Sequence, residues 1–220
     1  MNLENISVSV VLPVYISKPS NITDTVKCIE LLKTKTAIPF ELVIVETCSD
    51  YFIEDADIYL NERVRTTANK SINRAFKLCD TDYVVFIGND VMVDDNWLES
   101  LIACFNKEDC GIATLGNSEH NDVKADEIKE EMYFSICMFK KEDAWFDDFY
   151  TFIFDDTDMI FRIYVSGRKC YKNLNTIVQH KPHSTLGQYC GNKAEYDRCR
   201  EYFRDKWKDH KDNPMYERLG

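Results

Sequence analysis

The sequence predicts an α/β fold: a doubly wound, mostly parallel central sheet with helices on both faces. Three observations predict it. Tyr83-Val84-Val85-Phe86-Ile87 runs straight into the small turn Gly88-Asn89-Asp90, and a continuous apolar run bounded by a turn reads as a strand buried on both faces. Ser7–Val14, Ile22–Leu32 and Phe40–Val45 follow one another as strand, helix and strand, the usual length of a βαβ unit. The same alternation then continues to Leu115. Sheets of this kind bind ligands outside the carboxyl ends of their strands, which places Asp90 on the ligand edge.

Taken in order, Pro13 falls at or near the end of the first strand, and Tyr15–Ser20 is a polar loop. Ile22, Val26, Ile29 and Leu32 are at helical spacing, with Ser20 or Asn21 as cap. The second strand ends in an acid, Glu46, and a turn follows. Tyr51–Asn61 reads as a short helix or loop and Glu62–Thr66 as a short strand. Lys70–Cys79 is helical, with Ile72, Ala75, Phe76 and Cys79 on one face and Thr67 or Asn69 as cap. Asp94 or Asp95 is expected to cap a helix carrying Trp97, Leu98, Leu101, Ile102 and Phe105.

Gly111–Leu115 and Met132–Phe139 are strand candidates, separated by the polar, acidic surface loop Gly116–Glu131. Trp145–Phe154 is dense in aromatics, either as core or as part of an acceptor cleft. A helix over Asp155–Ser166 is closed by Gly167. One or two short strands over Cys170–Val178 lead into Gln179-His180-Lys181-Pro182-His183. The tail places Cys199, Tyr202, Phe203 and Trp207 on one helix face, expected to pack on the outside of the sheet. The whole, 1–220, reads as a single domain with its core over residues 7–184 and a C-terminal helix over 191–208.

At 220 residues the chain can bury a sizeable core, and its formal net charge of −11 lacks the basic footprint of broad nucleic-acid binding. A polyanionic ligand is then expected to rest on a metal ion or a few local cations. The nine Cys are scattered without a Cys-x-x-Cys pair, as reduced thiols of a cytoplasmic protein are. No stretch reads as a membrane span or a leader.

Four groups at element ends can carry chemistry: Glu46, Asp90, Asp156 and His180. Asp90 and His180 offer the oxygen and nitrogen donors that suit Mg²⁺ or Mn²⁺, with substrate phosphates completing the shell. The structural alternatives are a turn carboxylate and a surface histidine; His183 is a second candidate. In Asp155-Asp156-Thr157-Asp158, Asp158 stands four residues before Arg162, the favourable order for an intrahelical ion pair. Asp156 lies above the buried stripe that starts at Met159 and Ile160, where it either caps the helix or serves as a general base. Neither a Gly-x-Gly-x-x-Gly loop, nor a Walker loop, nor a Gly-x-Ser-x-Gly elbow is present.

In this order the motifs resemble the family-2 glycosyltransferases of the GT-A fold. Val10-Val11-Leu12-Pro13-Val14-Tyr15 is similar to that family's first strand, and Glu41–Glu46 to its second. Asn69-Lys70-Ser71-Ile72-Asn73-Arg74-Ala75 resembles the Asn-x-Gly-x-x-x-Ala helix, with Ser71 in place of Gly. Phe86–Asp90 resembles the Asp-x-Asp metal motif, with Gly88 where its first Asp stands. Asp156-x-Asp158 with Arg162 and Gly167 resembles the Glu-Asp-x-Asp block, with Asp155 in place of Glu, and Val178-Gln179-His180 the late Val-x-His.

The resemblance implies inverting transfer of a sugar from a UDP-, GDP- or dTDP-sugar to an acceptor glycan or another hydroxyl-bearing molecule. It implies Asp156 as base and Mn²⁺ or Mg²⁺ on Asp90 and His180. It further implies a donor held by Pro13, Tyr15, Glu46, Asn69, Asn89 and Asp90, and an acceptor near Trp145 and Asp155. Two rivals stand beside it. One is a catalytically degenerate GT-A domain that only binds a nucleotide-sugar or a partner. The other is a nucleotidyltransferase, disfavoured because Ile16–Ser20 has no Gly.

Overall fold

The computed structural model describes residues 6–16, 19–47, 52–64, 66–151, 153–180 and 193–219. Strand β1 (Val8–Val14) lies between β2 (Glu41–Thr47) and β4 (Tyr83–Ile87), with β3 (Ile58–Glu62) outside β2, all parallel. Beyond β4 the directions mix. β8 (Ile136–Lys140) runs antiparallel to both β4 and β6 (Cys110–Asn117), β6 pairs in parallel with β9 (Lys169–His180), and β7 (Ile128–Glu130) is antiparallel to β9. β3, β2, β1, β4, β6 and β9 therefore point one way, as the expected mostly parallel sheet requires, and β7 and β8 run against them. The second half is joined by strands that turn back, not by crossover helices alone.

Alternation along β1 explains the layers. Val8, Val10, Leu12 and Val14 face one side and pack with Cys28, Ile29 and Leu32 of α1 (Pro19–Thr34) and with Trp97, Leu98 and Leu101 of α3 (Trp97–Cys104). Val11 faces the other side, against Ile72 and Phe76 of α2 (Ala68–Leu78) and Met159, Ile160 and Ile163 of α4 (Asp155–Val165). A period of two in the strands thus meets two helical layers. Pro13 lies beyond the last β1–β4 pair, Val11 with Phe86, where a missing donor is tolerated.

Several local expectations are corrected. The third strand is Ile58–Glu62, not 62–66: Val43–Thr47 offer it a parallel edge, and Leu42 N–H is held by the Asp57 carboxylate just before it. Helix α3 is not capped by Asp94 or Asp95. Its N-cap is Asn96 at φ 61 without a side-chain cap bond, and Asp95 pairs with Lys35 instead. Asn tolerates this left-handed backbone.

Helix α5 (Lys193–Lys206) does not lie on the sheet. Cys199 and Phe203 pack with Tyr150, Phe154 and Phe161, and with Met215 and Tyr216 of α6 (Pro214–Leu219). Asp158 explains this placement. It does not pair with Arg162; fully buried, it accepts from Lys206 Nζ at 2.8 Å, Trp207 Nε1 at 2.7 Å and Tyr150 Oη at 3.3 Å. Its structural task is to tie α5 to α4.

The expected loop at 116–131 is also more ordered than its composition suggests. It contains a 3₁₀ turn (Ser118–His120) and β7, and it is pinned by Lys172, whose Nζ lies 2.9 Å from Asp122 and 2.7 Å from Glu131. Lys172 is 4 % exposed. A buried charge is tolerable only when paired, and removing one partner strands the others. Lys172→Met should therefore lower unfolding stability by about 2 kcal/mol in a denaturant titration, less than the ~3–5 of a fully buried pair because Glu131 is partly exposed.

Candidate active site

The carboxyl ends of β1, β2, β4, β6 and β9 share one edge, and most of the expected groups stand there. Strand β5 (Val91–Met92) pairs antiparallel with the end of β9, Val91 opposite His180. That register brings His180 Nε2 to 3.5 Å from Asp90 Oδ1. The other ring nitrogen, Nδ1, is 2.7 Å from Glu119 Oε2. The Asp90 carboxylate raises the pKa of His180, burial opposes it, and Glu119 adds to the rise. His183 lies outside the described residues.

Asp90 and His180 are one oxygen and one nitrogen donor, a set that fits Mn²⁺ or Mg²⁺. Among the described residues no group of three or more His, Cys, Asp or Glu side chains is arranged to hold a metal. A metal here needs the phosphates of a ligand to complete its shell. Gly88 bears on the motif's missing first acid: a Cβ at this position would stand 2.9 Å from Asp90 Oδ1. Any side chain there competes with the acid that remains.

At the start of α4, Asp155 Oδ1 accepts from Asp156 N–H at 3.0 Å, and Asp156 Oδ1 from Thr157 N–H at 2.7 Å. Each acid thus accepts the N–H of the residue that follows it in the first turn of α4. Asp156 Oδ2 has no hydrogen-bond partner among the described residues, which leaves it for a ligand. The N-cap itself is Phe154 at φ 73, with no side-chain cap bond. A bulky residue in the left-handed region is strained, and here the strain sits directly before the two acids. Burial raises the Asp155 carboxyl to about 7, with the Asp156 charge adding to it, and burial raises Asp156 as well.

Tyr133 lies within electrostatic reach of both clusters. Burial raises its phenol first, and then the Asp156 and Glu119 charges do so. Neither Glu119 nor Tyr133 was singled out from the sequence. The only signal was their place in or beside the polar 116–131 stretch, which carries no periodicity.

The other expected residues divide. Glu46 is fully buried at the end of β2 and accepts from Tyr59 Oη at 3.0 Å and from Asn61 Nδ2 at 2.5 Å. Tyr15 is partly exposed just past β1. Asn89 Nδ2 donates to Thr25 Oγ1 at 2.7 Å, fastening the turn to α1. Asn69 faces inward, and its Nδ2 donates to the carbonyls of Asp147 and Tyr150 at 3.1 and 3.0 Å, a clamp on the aromatic segment. Trp145 is 41 % exposed, with the Arg162 guanidinium 3.6 Å above its ring, a cation–π contact that fixes the indole. Much of the remaining aromatic segment, including Phe146, Tyr150 and Phe154, is core.

The comparisons with known proteins bear on this geometry. The sequence profile of glycosyl transferase family 2 matches residues 9–166. The chain belongs to that family. It is a glycosyltransferase of the GT-A fold, transferring a glycosyl group from a nucleotide-sugar. Among solved structures it resembles the mannosyltransferase PcManGT from Pyrobaculum calidifontis, in complex with GDP-Man and Mn²⁺, at a TM-score of 0.69 and 14 % identity, covering 97 % of this chain and 68 % of that one. No curated protein sequence matches. Among the described residues no helix of this glycosyltransferase is long and apolar enough to cross a membrane.

The raised acids give a signed prediction. A carboxyl whose pKa is higher folded than unfolded keeps its proton longer in the native state, so its contribution is full below about pH 4 and is lost as pH rises toward about 7. Asp155→Asn removes that loss. Its melting temperature should exceed the wild type's at pH 8 and converge with it near pH 4; the same difference at both pH values excludes the assignment.

Proposed function

We propose that this glycosyltransferase is a metal-assisted, inverting enzyme built from the whole chain, 1–220, with Asp156 as general base. The observation that carries the proposal is the meeting of Asp90 and His180 at 3.5 Å on the edge that also bears Asp156. Asp90 and His180 would hold Mn²⁺ or Mg²⁺, with the donor's diphosphate as further ligand. The metal, when bound, supplies Lewis-acid stabilisation of the leaving diphosphate. Asp156 Oδ2 takes the proton of the acceptor hydroxyl as that oxygen attacks the anomeric carbon from the face opposite the leaving group, which inverts the configuration. A base with a raised pKa accepts that proton more readily than an ordinary carboxylate.

Glu46, with Tyr59 and Asn61 fixing its carboxylate, and Tyr15 flank the place for the nucleoside. Asn69 and Asn89 support that site through the backbone and helix they hold. Trp145 offers an apolar face, and Asp155 a hydrogen-bonding group, to the acceptor. PcManGT was solved with GDP-Man and Mn²⁺, which makes GDP-mannose the first donor to test, ahead of UDP- and dTDP-sugars. The degenerate binding module remains the rival reading, and turnover decides between them.

Two measurements test the reading. Asp156→Asn should keep the wild type's nucleotide-dependent rise in melting temperature and lose about 10²-fold or more in transfer rate; undiminished transfer removes Asp156 from the chemistry. Gly88→Ala should leave the melting temperature within a degree or two. The displaced Asp90 carboxylate should weaken Mn²⁺ binding in the presence of GDP about tenfold by titration calorimetry. Unchanged affinity would separate Asp90 from the metal.

A further inference from the structure

Strands β6 and β8 run antiparallel with Thr114 opposite Cys137, and Ile136 at the start of β8 stands opposite Ile87 at the end of β4. The segment that leaves β6 and the segment that enters β8 therefore meet at the ligand edge, beside the turn that carries Asp90. Each brings an aromatic ring. His120 closes the 3₁₀ turn after β6, and Tyr133 lies shortly before β8. Their ring centroids are 4.2 Å apart with the planes at 67°, an edge-to-face corner.

Both segments are anchored. Asn121 N–H donates to Ser118 O at 3.1 Å, Asn117 N–H donates to Asp122 Oδ2 at 2.9 Å, and Asp122 is held by buried Lys172. Glu131 N–H donates to Cys170 O at 3.0 Å. Met132 and Phe134 pack against the core on either side of Tyr133, whereas Tyr133 itself is 42 % exposed. The Asp156 and Glu119 charges both act on its phenol. The same two segments carry two buried polar atoms that have no hydrogen-bond partner among the described residues: Asn117 Nδ2 at the end of β6 and Ser135 Oγ directly before β8. Asn117 is 2 % exposed. Buried polar atoms left unpaired are costly, and at this edge the hydroxyls of a ligand can pair them.

We propose that Tyr133 and His120 form the acceptor subsite, and that the acceptor it takes is an uncharged sugar. This subsite rests on the glycosyl transfer and the Asp156 base proposed above. A pyranose presents a face of C–H groups that covers an aromatic ring and a rim of hydroxyls that donate to carboxylates. Tyr133 offers the ring, His120 fixes it edge-on, and Asp156 and Glu119 offer the acceptors. The hydroxyl set against Asp156 Oδ2 gives its proton to that oxygen and forms the new bond to the anomeric carbon. The bond from that carbon to the donor's diphosphate breaks, and its electron pair leaves with the diphosphate. An anionic acceptor would meet the like charges of Asp90, Glu119, Asp155 and Asp156. A plain hydrocarbon chain would leave Asn117 Nδ2 and Ser135 Oγ unpaired.

The test uses the whole chain with GDP and Mn²⁺, and as probes the methyl glycosides of mannose, glucose, galactose and N-acetylglucosamine. Saturation-transfer NMR should show at least one of them held through its ring C–H protons. Tyr133→Ala should weaken that binding about tenfold, and His120→Ala by a smaller factor. Tyr133→Phe keeps the ring and should retain it. Both side chains are exposed, so these variants should melt with the wild type and keep its GDP-dependent rise in melting temperature.

Glycoside binding unchanged in Tyr133→Ala overturns the proposal. So does a wild type that binds GDP and none of these glycosides, a result that leaves the donor site standing. Glycoside binding that depends on Tyr133, alongside undiminished transfer in Asp156→Asn, supports the subsite and removes the base assignment instead.

Discussion

The path of β9 is the constraint on which the site depends. This strand pairs in parallel with β6, leaves its register at Leu174–Thr176, and ends antiparallel to β5 at His180. The irregularity is what frees its last residues from the ladder of the main sheet. Anchoring to Ser100 of α3 then aims them at the turn that carries Asp90. Irregularities of this kind re-aim a strand beside functional sites. His180 and Asp90 are 90 residues apart in sequence, and no local preference of either segment would bring them together.

A second tie works at the far side of α4. Asp158 is buried among three donors from Lys206, Trp207 and Tyr150, so the start of α4 is held from behind while Asp155 and Asp156 face the ligand edge. Asn69 clamps the preceding aromatic segment to α2. The backbone strain at Phe154 is then sustained by packing, because Phe154 lies in a buried cluster with Phe161 and Phe203. One helix start thus separates a structural acid from two functional candidates by which side each faces.

The parallel half of the sheet was legible because its strands are continuous apolar runs and its helices keep a clean period. The displaced third strand was not, since Ile58–Glu62 is only half apolar and becomes a strand by pairing with β2. Asp156, Asp90 and His180 were readable as acids and an imidazole at element ends. Glu119 and Lys172 were not: their meaning comes from parallel register and burial, which composition does not encode. Asp158 shows the same limit. Four-residue spacing offered Arg162, and tertiary packing supplied Lys206 and Trp207.

Charge bears on the proposed cation at this edge. Asp90, Glu119, Asp155 and Asp156 lie around His180 and Tyr133, on a chain whose net charge is −11. A nucleoside diphosphate approaching these groups meets like charge at short range, where screening is weak. One protonated imidazole offsets one carboxylate and no more. A divalent ion held between Asp90 and His180 would offset two of these charges, where the leaving group's charge would grow. Asp155 and Asp156 are raised first by burial, with the Asp156 charge adding to the rise at Asp155. A cation at that position acts on both carboxyls through charge and leaves their burial in place, so it should lower them only in part, and the acid limb of transfer activity should move to lower pH as Mn²⁺ is raised.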